Sequence, residues 1–376
     1  MQTKKLGELA TFINGFAFKP TDWGDTGLPI IRIQDLTGNS YRKNYYEGKY
    51  SKKIEINNGD VLISWSASLG VYIWNRGKAL LNQHIYKVIF DKVNIDKNYF
   101  VYAVRFNLDK MALKTHGATM KHIVKNDFYN IDIPFPNQEI QNKISAVLSK
   151  VESIIEYRKQ QLEQLDLLIK SRFIEMFGVY PANPMGWEIG TIRDIVTEVR
   201  YGSSRPAVDG GKYPYLRMNN ITYGGELDLS DTKRIDIPDN ELDKCTVRRG
   251  DILFNRTNSK ELVGKTCVYD RDEMMVLAGF VIRIRVKDRI LPEFLSAFLN
   301  TDFSKKMLLG MCKTAIGQAN INAQELQNIG LYLPPVELQR RFVQFKKETD
   351  KSKLAIQKSI EKLEILKKSL MQKYFG

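Results

Sequence analysis

Two stretches of this chain repeat apolar residues at alternating steps of four and three. In the first they fall at Ile144, Leu148, Val151, Ile155, Leu162, Leu165 and Ile169, interrupted by Arg158. In the second they fall at Leu338, Phe342, Phe345, Ile356, Leu363, Leu366 and Leu370, with Thr349, Ser352 and Ser359 at the weaker seam positions. These are heptads, and no Pro or Gly interrupts either stretch. Asn137 is placed to cap the first helix with Glu139 in its first turn, and Gly178 stands where a left-handed C-terminal residue belongs. Pro335 suits the first helical position of the second, with Glu337 in its first turn. The spacing predicts two helices of about 40 residues, each roughly 60 Å long at about 1.5 Å per residue. That exceeds what a compact domain of this size needs, so both helices read as spacers. They are expected to pair side by side and antiparallel, with their modules at opposite ends about a pseudo-twofold axis. The alternative is that each helix packs only on its own domain.

Ahead of each helix the pattern changes to short strand-like runs separated by turns. Candidate strands are 29–33, 60–64, 71–74 and 85–90, matched later by 213–218, 251–255, 266–269 and 280–286. Short helices are expected near 99–106 and 292–300. The fold class is therefore α+β: two globular modules in tandem, each followed by a long helix, the helices forming an antiparallel coiled coil. The expected boundaries are a first module at 1–136, a first spacer helix at 137–178, a linker at 179–186 containing Pro181 and Pro184, a second module at 187–334 and a second spacer helix at 335–376.

The chain also repeats itself. From Ile123 to Gly178 each residue finds its counterpart 198 positions on, as in Asp127 with Glu325, Pro136 with Pro334, Gln141 with Gln339 and Phe177-Gly178 with Phe375-Gly376. Earlier in each half the offset drifts: 185 at Arg32 and Arg217, 191 at Gly59 and Gly250, about 194 at Gly70 and Gly264. A fixed frame carrying two dissimilar front modules suggests a two-headed reader.

With 376 residues and 43% apolar content the chain is long enough for two cores. Its formal charge of +14 and pI of about 9.4 favour a polyanion, nucleic acid above all. There is no run of about 18 apolar residues and no apolar segment after Met1-Gln2-Thr3-Lys4-Lys5, so neither a membrane span nor a secretory leader is expected. Cys245, Cys267 and Cys312 are odd in number and lack metal-like spacing, which fits a reducing cytoplasm.

Enzymatic motifs fail on inspection. Gly264-Lys265-Thr266 resembles the end of a phosphate-binding loop, but Ser259 stands where that motif requires glycine. Glu47-Gly48-Lys49 is a Glu-x-Lys triplet with Asp22, Asp25 and Asp35 upstream, a combination expected by chance in so charged a chain. His84, His116 and His122 have no cysteine or carboxylate at ligand spacing. No nucleotide-binding glycine motif and no amino-methyltransferase motif occurs. The chain is expected to be no enzyme and to bind no metal or cofactor, any chemistry belonging to a partner.

Residues able to read DNA cluster at three places in each module. After the Gly-Asp strand lie Ser64, Trp65, Ser66 and Ser68, followed by Arg76, Asn82, Gln83 and His84. The second module has Asn255, Arg256, Thr257, Asn258, Ser259, Lys260 and Lys265 there. Arginine suits guanine, Asn or Gln suits adenine, and all can hold phosphates. The same residue types also furnish ordinary hydrated loops. Because the two sets differ, their half-targets should differ. Before the strict register stand Lys114, His116, Thr119, Lys121 and His122, and in the second module Lys313, Thr314, Gln318 and Asn320, types suited to backbone phosphates. Near each start lie Asn14, Phe16 and Lys19, opposite Tyr201, Ser203, Ser204 and Arg205. Arg32 and Arg217 end equivalent strands; either a base contact or a structural ion pair, for Arg32 with Asp35, would explain them.

At this point the chain resembles the specificity subunit of type I restriction-modification systems. The residues that carry the resemblance are Ile131-Asp132-Ile133-Pro134-Phe135-Pro136 with Glu139-Ile140-Gln141 and Ile144, and Gly330-Leu331-Tyr332-Leu333-Pro334-Pro335 with Glu337-Leu338-Gln339 and Phe342. The Gly-Asp-aliphatic strands and closing Phe-Gly are similar too. The first copy departs from the commoner Pro-Pro pair with Phe135-Pro136. The resemblance implies a non-catalytic subunit with two target recognition domains, each reading half of a split sequence in double-stranded DNA. It also implies two methyltransferase subunits using S-adenosylmethionine docked along the helices, and restriction subunits using ATP and Mg. A two-domain protein scaffold without sequence preference is the rival.

Overall fold

The computed structural model describes residues 2–39, 42–114, 123–315 and 318–376. The chain divides into two compact units: Met1–Gln160 with Gln357–Gly376, and Gln161–Ile356. Two 40-residue helices, Gln138–Phe177 and Val336–Phe375, each contribute a segment to both units.

In the first unit the strands are β1 (Thr3–Lys5), β2 (Thr11–Asn14), β3 (Leu28–Ile31), β4 (Asn44–Tyr46), β5 (Glu55–Ile56), β6 (Val61–Ser64), β7 (Gly70–Ile73), β8 (Ala79–Leu81), β9 (Ile85–Ile89) and β10 (Asp132–Pro134). One sheet is antiparallel in the order β2-β9-β6-β7; the other runs β4-β3-β8-β5, with β3 parallel to β8. β1 pairs with β10. In the second unit come β11 (Glu188–Thr191), β12 (Val196–Tyr201), β13 (Tyr213–Leu216), β14 (Lys233–Ile235), β15 (Thr246–Val247), β16 (Ile252–Asn255), β17 (Thr257–Asn258), β18 (Thr266–Val268), β19 (Met275–Leu277), β20 (Val281–Val286), β21 (Lys313–Ala315), β22 (Gln318–Asn320) and β23 (Gly330–Leu333). Their sheets, β12-β20-β16-β18, β14-β13-β19-β15 with β13 parallel to β19, and β11-β23, reproduce the first unit's plan. A further sheet runs β17-β22-β21.

The central strands are apolar on both faces because both faces are covered. Val61 and Ile63 of β6 enter the core beneath the helices, while Leu62 faces the core shared with the second sheet. Ile252 and Phe254 of β16 split from Leu253 in the same way. An uninterrupted apolar run is what a strand covered on both faces requires.

The Pro-Glu-Gln turn has a mechanical role. Gln141, 1% exposed, donates to the Pro136 carbonyl (2.8 Å) and accepts from the Asp96 amide (3.0 Å). Gln339, fully buried, donates to the Pro334 and Arg289 carbonyls (2.8 and 3.1 Å) and accepts from the Leu291 amide (2.8 Å). Each glutamine thus ties the first turn of a long helix to the segment that starts the domain's own helix, Lys97–Lys114 or Pro292–Leu299. It does so with both the oxygen and the nitrogen of its amide bonded, the form in which so polar a group is cheap to bury.

Within the first unit the helix segments meet at Glu152 and Lys367 (2.7 Å), and Ile144, Leu148, Met371 and Phe375 share its core. Within the second, Asp166 meets Lys353 (2.7 Å) and Phe173 packs against Phe342 (5.2 Å). Partner numbers fall as first-helix numbers rise, so the segments run antiparallel. Asn137 caps the first helix through the Ile140 amide, and Gly178 ends it at φ +82°. Pro335 stands one residue before the second helix, its carbonyl accepting the first helical bonds from Leu338 and Gln339. Leu366 does not lie in the seam: it is 46% exposed, and Lys367 turns inward beside it to reach Glu152. The expected strands shift or shorten by one or two residues at their ends, and the helix expected at 99–106 extends over Lys97–Lys114.

Candidate nucleic-acid interface

The chain leaves β6 at Ser64, whose hydroxyl is buried and donates to the Ser68 carbonyl (2.5 Å). Trp65 follows, its amide bonded to the His84 carbonyl (3.3 Å) and its carbonyl to the Ile123 amide (3.0 Å). Its indole Nε1 donates to Asn14 Oδ1 (3.3 Å), and its ring stacks on Tyr86 (5.6 Å) and meets His84 edge-on (4.9 Å). Ala67 and His84 both hold left-handed backbone, at φ +58° and +69°, an uncommon state for residues with a Cβ. Asn82 Oδ1 and His84 Nδ1 are shielded and have no partner among the described residues. Ser66 is buried, whereas Asn14, Phe16, Lys19, Ser68 and Gln83 are exposed. Phe16, 52% exposed, is held by a bridge to Asn82 and an edge contact with Phe18.

The same backbone knot recurs at the end of β16. The Arg256 amide bonds to the Phe280 carbonyl (3.0 Å), and its carbonyl accepts from the Ile321 amide (2.9 Å). The guanidinium lies 4.7 Å over the Tyr201 ring, and the Tyr201 hydroxyl accepts from the Ala323 amide (2.9 Å). Gly15 and Gly202 permit the matching close approach: a Cβ would come 2.0 Å from the Asn82 carbonyl oxygen and 2.2 Å from that of Leu277. Trp65, Asn14 and His84 of one unit therefore correspond in place to Arg256, Tyr201 and Phe280 of the other.

The second knot opens on a cleft of about 450 Å³ lined by Ser203, Ser204, Arg205, Arg217, Asn219, Arg256 and Phe280, among others. The fold thus gathers five predicted residues from three separated segments. Arg205 is held by both oxygens of Glu241 (2.7 and 3.1 Å), and Arg217 by Asp231 (2.9 Å). Ser203 is buried and Ser204 exposed.

Other predicted residues support the loops. Asn255 is fully buried; Thr257 donates to Asn320 Oδ1 (3.2 Å), and Asn258 accepts from the Ser259 amide (2.8 Å). Lys265 is buried and donates to the Met218 carbonyl (2.9 Å), burial pushing its pKa below the usual range. Lys260 is exposed. Arg76 donates to the Asp35 carbonyl (2.9 Å) and lies over Trp74. Arg32 lies over Trp23, donates to the Arg42 carbonyl and has Nε 3.9 Å from Asp35. Lys114 closes the helix Lys97–Lys114, and Lys313, Thr314 and Gln318 belong to β21 and β22. His116, Thr119, Lys121 and His122 lie outside the described residues.

Among the cleft residues that escape the sequence reading are Phe280, 53% exposed, and Asn219, neither of which carries a charge to mark it. Aligning the repeats at an offset of 196 would place Phe280 opposite His84. Chemically the knots offer one donor fork, exposed aromatic faces and hydroxyls, a set suited to base edges and phosphates. No cluster of metal-ligating side chains occurs among the described residues.

Comparison with known proteins agrees with this architecture. The chain is 24% identical over 287 residues to the Type I restriction enzyme EcoKI specificity subunit of Escherichia coli (strain K12), covering 71% of this chain and 62% of that protein. It is 27% identical over 346 residues to the Type I restriction enzyme MjaVIII specificity subunit of Methanocaldococcus jannaschii, covering 85% and 79%. A putative MjaX specificity subunit from that organism is 30% identical over 51% of this chain and 46% of its own length. The chain thus spans roughly half to two thirds of the EcoKI and MjaX subunits. In fold it matches the crystal structure of a Type-I restriction-modification system S subunit from M. genitalium at TM-score 0.54 and 15% identity, covering 100% of this chain and 96% of that one. A chain solved in work on complex assembly and conformational transition of the type I R-M system matches at TM-score 0.60 and 18% identity, covering 100% and 97%. The family model described as "Type I restriction modification DNA specificity domain" matches residues 1–167 and again 184–366. Matched once in each repeat, and over nearly its whole length, this chain belongs to the type I restriction-modification DNA specificity family.

Proposed function

We propose that this chain is the DNA-recognition subunit of a type I restriction-modification complex, with residues 1–136 and 187–334 each reading one half of a bipartite target. The long helices fix the gap between half-sites and dock two methyltransferase subunits; restriction subunits complete the assembly. Methylation and cleavage, with S-adenosylmethionine, ATP and Mg, belong to those partners, and the complex works in the cytoplasm. The described helices include none long and apolar enough to cross a membrane.

The observation that carries this reading is the repeated knot. Identical backbone bonds present Trp65 in one unit and Arg256 in the other, as two readers of unlike sequences on one frame require. The +14 charge supplies affinity for the duplex. Selecting bound sequences from random duplex DNA with the chain and its methyltransferase, at physiological salt, tests it. A two-part motif with a fixed gap is expected. Binding without sequence preference would restore the scaffold reading.

A further inference from the structure

Three arginines line the cleft of the second unit, and they are not equivalent. Glu241 grips Arg205 with two bonds, and Arg217 gives Nη2 to the Asp231 carboxylate and carbonyl, so both guanidiniums are already paired with a carboxylate. Arg256 has no ion pair among the described residues. It is nevertheless held in place: its backbone is bonded on both sides, its Nε is buried, and its guanidinium rests on a Tyr201 ring itself pinned by the Ala323 amide.

We infer that Arg256 is a specificity-determining residue that reads a guanine in the second half-site, an inference resting on the DNA-recognition reading above. A planar fork held in one orientation discriminates where a mobile cation does not. Guanine presents two acceptors, O6 and N7, on its major-groove edge, matching two parallel N–H donors, whereas adenine places a donor beside N7. The first unit has no such fork at this position: Trp65 has a single N–H, and Asn14 accepts it. A guanine contact made from this position therefore belongs to the second half-site.

The same fork suits a phosphate, and the charge-conserving variant Arg256→Lys separates the two. Sequence selection is repeated with the intact complex of chain and methyltransferase, comparing parent, Arg256→Lys and Tyr201→Leu. The expected result is a parent motif with guanine in its second half and an Arg256→Lys motif in which that one preference falls about tenfold to a hundredfold. The gap and first half-site stay as they were, which also reports that the chain is folded. Tyr201→Leu, which removes the platform and keeps the arginine, weakens the same preference to a smaller degree. A parent second half-site without guanine, or an Arg256→Lys complex whose base preferences persist while affinity falls uniformly, overturns the inference. A parent complex that selects no two-part motif rejects the recognition reading itself.

Discussion

The knot at Trp65 and the knot at Arg256 share backbone bonds and almost nothing else. Each receives a carbonyl from the start of the last central strand, each holds the amide of an isoleucine, Ile123 or Ile321, and each depends on a glycine, Gly15 or Gly202, where no Cβ fits. In one, an indole stacks on Tyr86 and is tethered to Asn14; in the other, a guanidinium rests on Tyr201. Main-chain bonds and buried glutamines set the frame, so the outward side chain can change from a large aromatic to a cation without disturbing the fold. On the proposed function, that separation of frame from reader would let one architecture serve two different half-targets.

The largest expected effect comes from breaking the shared part. Gly15→Ala and Gly202→Ala each force a Cβ into a backbone carbonyl and should each cost about 3 kcal/mol in urea unfolding; a cost under about 1 kcal/mol in either would mean the close approach is not fixed. Next, Gln141→Leu and Gln339→Leu should each cost about 2–3 kcal/mol by leaving buried backbone groups unpaired, with Gln339 the costlier because it makes three bonds against two. Equal losses would remove that distinction. Trp65→Ala should weaken the first half-site by about 1 kcal/mol, the order of one stacked ring, and leave the second unchanged when the halves are titrated separately.

A separate expectation, on pH dependence, concerns a charge in the second unit. Lys305 donates to the Gly264 carbonyl and lies against Tyr223; burial, with lesser repulsion from Lys265 and Lys170, lowers its pKa from 10.5 to about 8. The unfolded chain binds more protons between those values, so the burial penalty is full below pH 8 and stability rises from pH 8 to about 10.5. Lys305→Met should flatten that rise relative to the parent, and an unchanged slope would assign it to other groups.

Much of the frame is legible in sequence because it follows periodicity: Ile144, Leu148, Val151 and Ile155 are all buried. The heptad reading fails at Leu366 because an inward Lys367, neutralised by Glu152, occupies the seam, and a pattern of apolar positions cannot register a paired lysine. The site is less legible. Ser64, Asn255 and Lys265 read as surface residues by polarity, yet the loops fold them inward, where Ser64 and Lys265 bond to backbone carbonyls. Phe280 enters the sequence reading only as the start of a strand, 280–286, and stands exposed at the cleft. Side-chain direction at a strand end depends on the knot's backbone path, which residue type does not encode.

The central claim is that frame and reader are separable. The direct measurement is sequence selection by a complex whose chain carries residues 1–136 in place of 187–334, with both long helices retained. The predicted motif has the first half-sequence at both ends and the parent gap. Retention of the original second half-sequence, or a changed gap, would contradict the account.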